Sequence, residues 1–190
     1  MKTENIIAAI LCAAVLLMEA RGLFITWPQR KWKLLVFYTQ LSNLAATVSA
    51  ALLLILGPAP WIAVLRYLST CMLVMTFFVT AFVLVPMGGN PKVLLWSGSG
   101  IFHHVLCPVL TAVSYIFFEL HAGLSSLWLP PAVTLLYGMI MLALNGAGKV
   151  DGPYPFFRVR HQSGRATMLW MTVLMAVVTG LSALVWAAAK

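Results

Sequence analysis

The residues from Trp61 to Val85 read WIAVLRYLSTCMLVMTFFVTAFVLV, an apolar run in which Arg66 is the single charge. A helix rises about 1.5 Å per residue, so about 20 apolar residues cross a hydrocarbon core of about 30 Å. This run is therefore predicted to be a membrane-spanning helix. It ends where Pro86 and the Gly88-Gly89 pair interrupt the pattern.

Five further stretches of the chain share this apolar pattern. They cover about residues 6–24, 34–56, 100–118, 127–144 and 166–189. The composition agrees, because 62% of the 190 residues are hydrophobic and only 8% are charged, unlike a soluble domain. The connections are short, so we predict an all-α polytopic membrane protein in which residues 1–190 form a single bundle of six transmembrane helices. No internal repeat is visible, which disfavours a secondary transporter.

The positive charges predict the orientation of the bundle. The first, third and fifth loops carry most of them: Arg30, Lys31, Lys33, Lys92, Lys149, Arg158, Arg160 and Arg165. The opposite side has Lys2, Lys190 and, at its edge, Arg66. Because short cytoplasmic loops are rich in Lys and Arg, loops one, three and five are predicted to be cytoplasmic and both termini outside. Topology and anionic lipid headgroups then explain the net charge of +8, and no nucleic acid partner is needed.

Two polar clusters lie inside the apolar segments, FYTQLSN at residues 37–43 and FHHVLCP at residues 102–108. Residues three and four apart share a helix face, which gives one polar stripe from Thr39 in the second helix and another from His103 in the fourth. Both stripes begin at the side of loops one and three, so Thr39 and His103 are expected at similar depth. Polar stripes can be packing faces between membrane helices, but polar groups in hydrocarbon also often mark function.

A threonine hydroxyl near an imidazole suggests nucleophilic catalysis. The histidine would take the hydroxyl proton and later return it to a leaving group. A lipid ester suits this site, because it could reach the bundle from the bilayer while water enters from the cytoplasmic mouth. The candidates for oxyanion stabilisation or substrate orientation are Asn43, Ser42, Gln40 and, from the fifth loop, Tyr154.

Glu19 lies near the cytoplasmic end of the first helix and could reach the same mouth. Its expected role is an ion pair with Arg158 or Arg160, and the alternative is that it orients His103 or relays a proton. By contrast, Glu119 follows the fourth helix on the opposite side, where we expect it to be a solvated loop residue.

The chain resembles the androgen-induced and androgen-dependent TFPI-regulating membrane proteins and their bacterial six-helix relatives. The resemblance lies in FYTQLSNL at residues 37–44, FHHVLCP at residues 102–108 and GPYPF at residues 152–156. It implies an intramembrane threonine hydrolase of fatty acid esters of hydroxy fatty acids, located in the bacterial inner membrane. By this resemblance Thr39 is the nucleophile and His103 its base. The register of the histidine segment differs from the family pattern, so His104 is the alternative base.

The competing interpretation is a non-catalytic membrane protein, either a structural bundle or a small transporter. A transporter requires a polar path that continues past Thr111 and Ser114 to the other side of the bundle. The three cysteines, Cys12, Cys71 and Cys107, have no metal-ligand spacing, so neither a metal nor a cofactor is predicted. The predicted partners are membrane lipids and a lipid ester substrate, and the sequence leaves the oligomeric state open.

Overall fold

The computed structural model describes residues 3–190, and every regular element in that range is helical. The six α-helices are α1 (Thr3–Arg30), α2 (Tyr38–Leu56), α3 (Pro60–Val79), α4 (Cys107–Phe118), α5 (Leu129–Gly146) and α6 (Gly164–Ala188). Short π-helical segments cover Thr80–Leu84, Lys92–Trp96 and Phe102–Leu106, and short 3-10 helices cover Lys31–Val36, Leu124–Ser126, Pro155–Phe157 and Val159–His161. The prediction of an all-α protein is confirmed.

Within residues 3–190, five helical stretches are long and apolar enough to cross a bilayer. They are Thr3–Val36, Tyr38–Leu56, Pro60–Leu84, Leu124–Gly146 and Gly164–Ala188. A further apolar stretch, Phe102–Phe118, is shorter than these five. Large apolar side chains such as Phe24 and Ile55 are exposed by 73% and 77%, as expected for a surface that faces lipid. These features are those of an integral membrane protein.

The first helix is longer than its apolar pattern predicted. The prediction ended it at about residue 24, whereas α1 continues to Arg30 and is followed directly by the 3-10 helix to Val36. Pro28 lies in the last turn of α1, where it removes one hydrogen bond of the helix. Phe37 then adopts an extended conformation, so the second helix begins at Tyr38 and not at residue 34 as predicted.

The other predicted boundaries are within a few residues of the structure. Prolines near the N-termini of α3 and α5 fit these positions, because their missing backbone donors have no partner in a first turn. The π-helical segments at Thr80–Leu84 and Phe102–Leu106 were not predicted from the apolar pattern. The second of these matters for the site, because it sets which histidine turns inward.

α3 is the central helix of the bundle. Half of its membrane-crossing window is buried inside the protein, against 22% to 33% for the other four long stretches. It packs against α2, α4 and α6, while α1 packs against α2 and α4, and α5 packs against α6. The bundle therefore has two sides around α3, one formed by α1 and the other by α5 and α6.

Two ends of the bundle can be distinguished. At the end that we call the odd-loop face, α1 and α5 finish and α2, α4 and α6 begin. At the even-loop face, α2 and α4 finish and α3 and α5 begin. The protein buries a separate polar cluster near each of these faces, and the predicted site residues lie in the one at the odd-loop face.

Candidate active site

Thr39 lies in the first turn of α2, where backbone N–H groups have no partner within the helix. Two tyrosine hydroxyls supply the partners that the N-cap residue Phe37 does not. The N–H of Tyr38 donates to the Tyr137 hydroxyl over 3.1 Å, and the N–H of Thr39 donates to the Tyr154 hydroxyl over 3.3 Å. The helix start is thus capped by α5 and by the Tyr-Pro-Phe loop.

The Tyr154 hydroxyl also lies 3.3 Å from Thr39 Oγ1. Either hydroxyl can be the donor in this contact, because a phenol oxygen that accepts the Thr39 N–H still has a second lone pair. Burial raises the pKa of Tyr154, so the phenol stays protonated and does not act as a base. When Tyr154 is the donor, the proton of the Thr39 hydroxyl can turn to another acceptor.

The aromatic rings of the Tyr-Pro-Phe loop hold Tyr154 in place. Its ring stacks on Phe156, with centroids 5.2 Å apart and planes inclined by 14°, and Phe156 in turn contacts Trp170 of α6. A side chain at Gly152 would place its Cβ only 2.7 Å from the backbone of Phe157, so the loop needs glycine there.

Thr39 lines a narrow apolar cavity of about 40 Å³. The cavity lies between α2, α3, α5 and α6, on the side of the bundle away from α1. Its lining comprises Tyr38, Thr39, Met75, Thr76, Val79, Thr80, Leu84, Thr134, Tyr137, Gly138, Tyr154, Phe156, Phe157, Met171, Leu174 and Met175. The lining is apolar and the volume is that of a few water-sized groups, so in this conformation the cavity has room for a short hydrocarbon group.

His103 is buried, with 2% of its surface exposed, and its ring nitrogens contact two other predicted site residues. Nδ1 lies 2.9 Å from Gln40 Nε2, and Nε2 lies 3.4 Å from Glu19 Oε2. With the Gln40 amide in this orientation, Nδ1 is the acceptor and the proton is on Nε2, facing the carboxylate. Glu19 is thus placed to orient His103, which was the alternative expectation for this residue.

Gly22 makes the close approach of His103 to α1 possible. A Cβ at this position would overlap the imidazole ring, with His103 Cδ2 only 2.7 Å away. Gly22 and Glu19 are three residues apart and therefore lie on the same face of α1. Gly22 leaves room for the imidazole of His103, and Glu19 places its carboxylate next to Nε2 of that ring. The sequence reasoning missed Gly22, although its spacing from Glu19 was a usable signal.

Asn43 joins the backbones of the two predicted catalytic residues. Its Nδ2 donates to the carbonyl oxygen of Thr39 over 2.7 Å and to that of His103 over 3.1 Å. The side chains diverge from this bridge: Thr39 Oγ1 bonds to Tyr154, and the imidazole nitrogens face Gln40 and Glu19. The predicted direct hydrogen bond between Thr39 and a histidine is not formed in this conformation.

A second cleft, of about 650 Å³, opens between α1 and the start of α2. Its walls are apolar and include Phe24, Trp27 and Trp32, while Glu19 and Gln40 supply polar groups. Both carboxylate oxygens of Glu19 and Oε1 of Gln40 are buried without a hydrogen-bond partner. This cleft gives access to the polar cluster from the side opposite to the Thr39 cavity.

The remaining predicted site residues have other contacts. His104 Nδ1 lies 2.7 Å from the carbonyl oxygen of Leu94, so His104 does not face Thr39. Ser42 donates to the Thr39 carbonyl, and the Asn43 amide is likewise committed to carbonyl groups, so neither has a free donor for an oxyanion.

The predicted ion pair of Glu19 with Arg158 or Arg160 is not formed. The imidazole of His103 is the group that faces the Glu19 carboxylate, and both arginines line a separate cavity in the fifth loop.

Near the even-loop face, Arg66 and Glu119 form a buried ion pair. Arg66 Nε and Nη2 donate to the two carboxylate oxygens over 2.7 and 2.6 Å, and each side chain is 1% exposed. Ser114 donates to the same carboxylate over 2.5 Å, and Arg66 Nη1 reaches Ser49 at 3.4 Å. The expectation of a solvated Glu119 was wrong, because the chain after α4 turns this carboxylate back into the bundle.

No three His, Cys, Asp or Glu side chains among residues 3–190 converge as metal ligands. Comparison of the chain with protein-family models, with curated proteins and with solved structures finds no match. Functional inference therefore starts from the geometry of the buried polar groups.

Proposed function

We propose that this integral membrane protein hydrolyses lipid esters, with Thr39 as the nucleophile and His103 as the general base. The observation that carries the proposal is the position of the Thr39 hydroxyl. It lies in the first turn of a helix and lines an apolar cavity, and its side-chain hydrogen-bond partner is the Tyr154 hydroxyl, which can serve as the donor. One amide group, that of Asn43, connects its backbone to that of His103.

The reaction requires His103 Nδ1 to exchange its present partner. Gln40, the neighbour of Thr39 in sequence, now occupies this nitrogen. A rotation of the flexible Gln40 side chain, together with reorientation of the Thr39 hydroxyl, lets Nδ1 take the hydroxyl proton. Glu19 then stabilises the imidazolium through Nε2–H, as a carboxylate does in other hydrolases that pair a hydroxyl with histidine.

The attack forms a bond between Thr39 Oγ1 and the ester carbonyl carbon. The carbon–oxygen bond to the alcohol breaks, and the imidazolium returns its proton to the departing alkoxide. Water then hydrolyses the acyl-threonine with His103 again as base, which releases the fatty acid. The charge that develops on the carbonyl oxygen is stabilised by the Tyr154 hydroxyl, which turns to it from Thr39, and a donor of this kind contributes about 3 kcal/mol.

Fatty acid esters of hydroxy fatty acids are the proposed substrate class, because the family resemblance implies it and the cavity beside Thr39 has an apolar lining. The proposed topology has six crossings, of which Phe102–Phe118 is the fourth. Loops one, three and five lie in the cytoplasm and both termini outside, in a bacterial inner membrane. The Thr39 site is then close to the cytoplasmic surface, from which water reaches the acyl-enzyme.

A fluorophosphonate probe tests the nucleophile on the purified full-length protein. Labelling should be lost in Thr39→Ala, strongly reduced in His103→Ala and retained in Ser42→Ala, the matched control, because Ser42 is a buried hydroxyl one turn along the same helix. Thr39→Ser should restore labelling. Unchanged labelling of Thr39→Ala, or none of the wild-type protein, would refute the proposal, provided that intrinsic tryptophan fluorescence shows folded protein.

A second candidate function, proton movement across the bundle, is favoured by the buried face of α4. This face continues from His103 through Cys107 and Thr111 to Ser114, which bonds to Glu119 near the other end. Thr111 Oγ1 is buried without a hydrogen-bond partner, as expected if a water molecule joins this row. The row spans about 16 Å at the rise of a helix.

Proteoliposomes with an internal pH-sensitive dye test this second candidate. Under a potassium diffusion potential, the wild-type protein should acidify the lumen faster than empty vesicles do. Thr111→Val should abolish the difference, whereas Thr172→Val on the exposed face of α6 should not. Equal rates for wild-type protein, Thr111→Val and empty vesicles would exclude proton movement.

A further inference from the structure

The loop between α5 and α6 forms a polar cavity that the hydrolase proposal does not use. Its volume is about 250 Å³, and its lining consists of Asn145, Asp151, Gly152, Arg158, Arg160 and His161. The cavity lies at the odd-loop face, where two of the long apolar stretches end and begin. It is therefore positioned at the level where a membrane meets water.

The two arginines of this cavity are available to an anion. Both are exposed, and neither has a carboxylate within 4.0 Å in the described part of the chain, where the carboxylates of Glu119 and Glu19 face Arg66 and His103. Asp151 lines the same cavity but does not neutralise them. Guanidinium groups bind phosphate through paired, charge-assisted hydrogen bonds, so phosphate is the anion that this arrangement fits best.

Asn145 provides a hydrogen-bond acceptor, which favours a ligand that carries a hydrogen-bond donor. Its side chain is 3% exposed, and Nδ2 donates to the Val150 carbonyl over 2.9 Å, which fixes the orientation of the amide. Oδ1 is left buried without a partner. A buried acceptor without a partner costs about 1 to 3 kcal/mol, and a hydroxyl on a ligand would remove this cost.

Two glycines keep the cavity open and its arginine in place. Gly148 has a φ of +69°, and a Cβ there would lie 3.1 Å from Arg160 Nη1, so the guanidinium packs directly over the backbone. Gly152 approaches the backbone of Phe157 too closely to accept a side chain. The loop therefore presents charged and polar groups from a closely packed backbone.

We propose that this cavity binds a phosphate ester that carries a neighbouring hydroxyl, as in the headgroup of phosphatidylglycerol. The arginines take the phosphate oxygens, and Asn145 Oδ1 accepts the hydroxyl proton. The same chemistry occurs in the soluble molecule glycerol 3-phosphate. The site is separate from Thr39, so its occupancy does not depend on hydrolase activity.

Native mass spectrometry of the full-length protein in detergent can test the site with short-chain lipids. Dioctanoyl phosphatidylglycerol should bind about tenfold more tightly than dioctanoyl phosphatidylethanol, which has the phosphate but no hydroxyl, a difference of the size expected for one hydrogen bond. Asn145→Leu should remove this preference. Competition by glycerol 3-phosphate at equal concentration would assign the site to the soluble ester, and absence of competition would assign it to the lipid.

A matched pair of double variants separates a built site from general attraction to a positive loop. Arg158→Gln/Arg160→Gln should lower phosphatidylglycerol affinity at least tenfold. Lys149→Gln/Arg165→Gln removes the same charge from outside the cavity, one residue in the same loop and one in the first turn of α6, and it should leave the affinity within about threefold. Equal losses in both doubles, or equal binding of phosphatidylglycerol and phosphatidylethanol by the wild-type protein, would overturn the proposal.

Discussion

Removal of one partner of the Arg66–Glu119 ion pair should destabilise the protein strongly. Arg66→Met leaves a buried carboxylate, and Glu119→Gln leaves a buried guanidinium, each at a site where the wild-type side chain is 1% exposed. Two charge-assisted hydrogen bonds of 2.7 and 2.6 Å are broken or weakened in either case. An uncompensated buried charge of this kind costs about 3 to 5 kcal/mol of unfolding free energy.

The double variant Arg66→Met/Glu119→Leu should lose less than either single variant, because it leaves no charge without a partner. The assay is unfolding in mixed micelles with increasing SDS, followed by tryptophan fluorescence, from which a double-mutant cycle gives the coupling energy. Glu4→Gln is the control: it removes an exposed carboxylate from the even-loop face and should change stability by less than about 0.5 kcal/mol. Single variants as stable as this control, or additive losses in the double variant, would refute the reasoning.

Three further substitutions probe the odd-loop face. Gly22→Ala should displace the imidazole of His103 and lower fluorophosphonate labelling at least tenfold, and labelling at the wild-type rate would contradict the described packing. Tyr154→Phe should slow labelling of Thr39 by about 100-fold. Because burial raises the pKa of Tyr154 above its ordinary value, the ratio of wild-type to variant rates should stay constant between about pH 6 and 9, and a ratio that changes there would show a titrating phenol. Tyr137→Phe should cost about 1 to 2 kcal/mol in the SDS assay, because it removes one cap of α2 and a bond to a backbone carbonyl, and an unchanged midpoint would count against this role.

The helical architecture could be predicted from the sequence because the thickness of the hydrocarbon core sets the length of an apolar helix that crosses it. The runs that became α2, α3, α5 and α6 are bounded by Pro, Gly or charged residues, so their ends were predicted within a few residues. The end of α1 was not, because the helix continues beyond its apolar run and through Pro28 to Arg30. The sequence also did not show which residues of the fourth stretch face the interior of the bundle. The π-helical turn at Phe102–Leu106 places His103 inward and His104 toward Leu94.

The sequence predicted that several polar residues lie at the same end of the bundle, but it did not predict their contacts. Alternating direction of successive helices is enough to place Thr39, Gln40, Glu19 and His103 at one end of the bundle. The contacts among these residues depend on how each helix is rotated about its axis and on how closely the backbones approach. A single residue such as Gly22 controls how closely α1 approaches His103. Long-range pairing was equally hidden: nothing near Glu119 in sequence shows that its partner lies 53 residues earlier.

The separation of Arg66 from Glu119 along the chain also bears on the synthesis of the protein. The ribosome completes α3 well before the residue that neutralises its guanidinium has been made. An arginine in the middle of a membrane helix costs about 2.5 to 3.5 kcal/mol on insertion, and Arg66 lies close to one end of α3, where its side chain can still reach water. We expect α3 to enter the bilayer in a shallow position, beside the insertion machinery, until α4 and Glu119 follow. Formation of the buried ion pair would then coincide with the movement of α3 and α4 to their final depth in the bilayer.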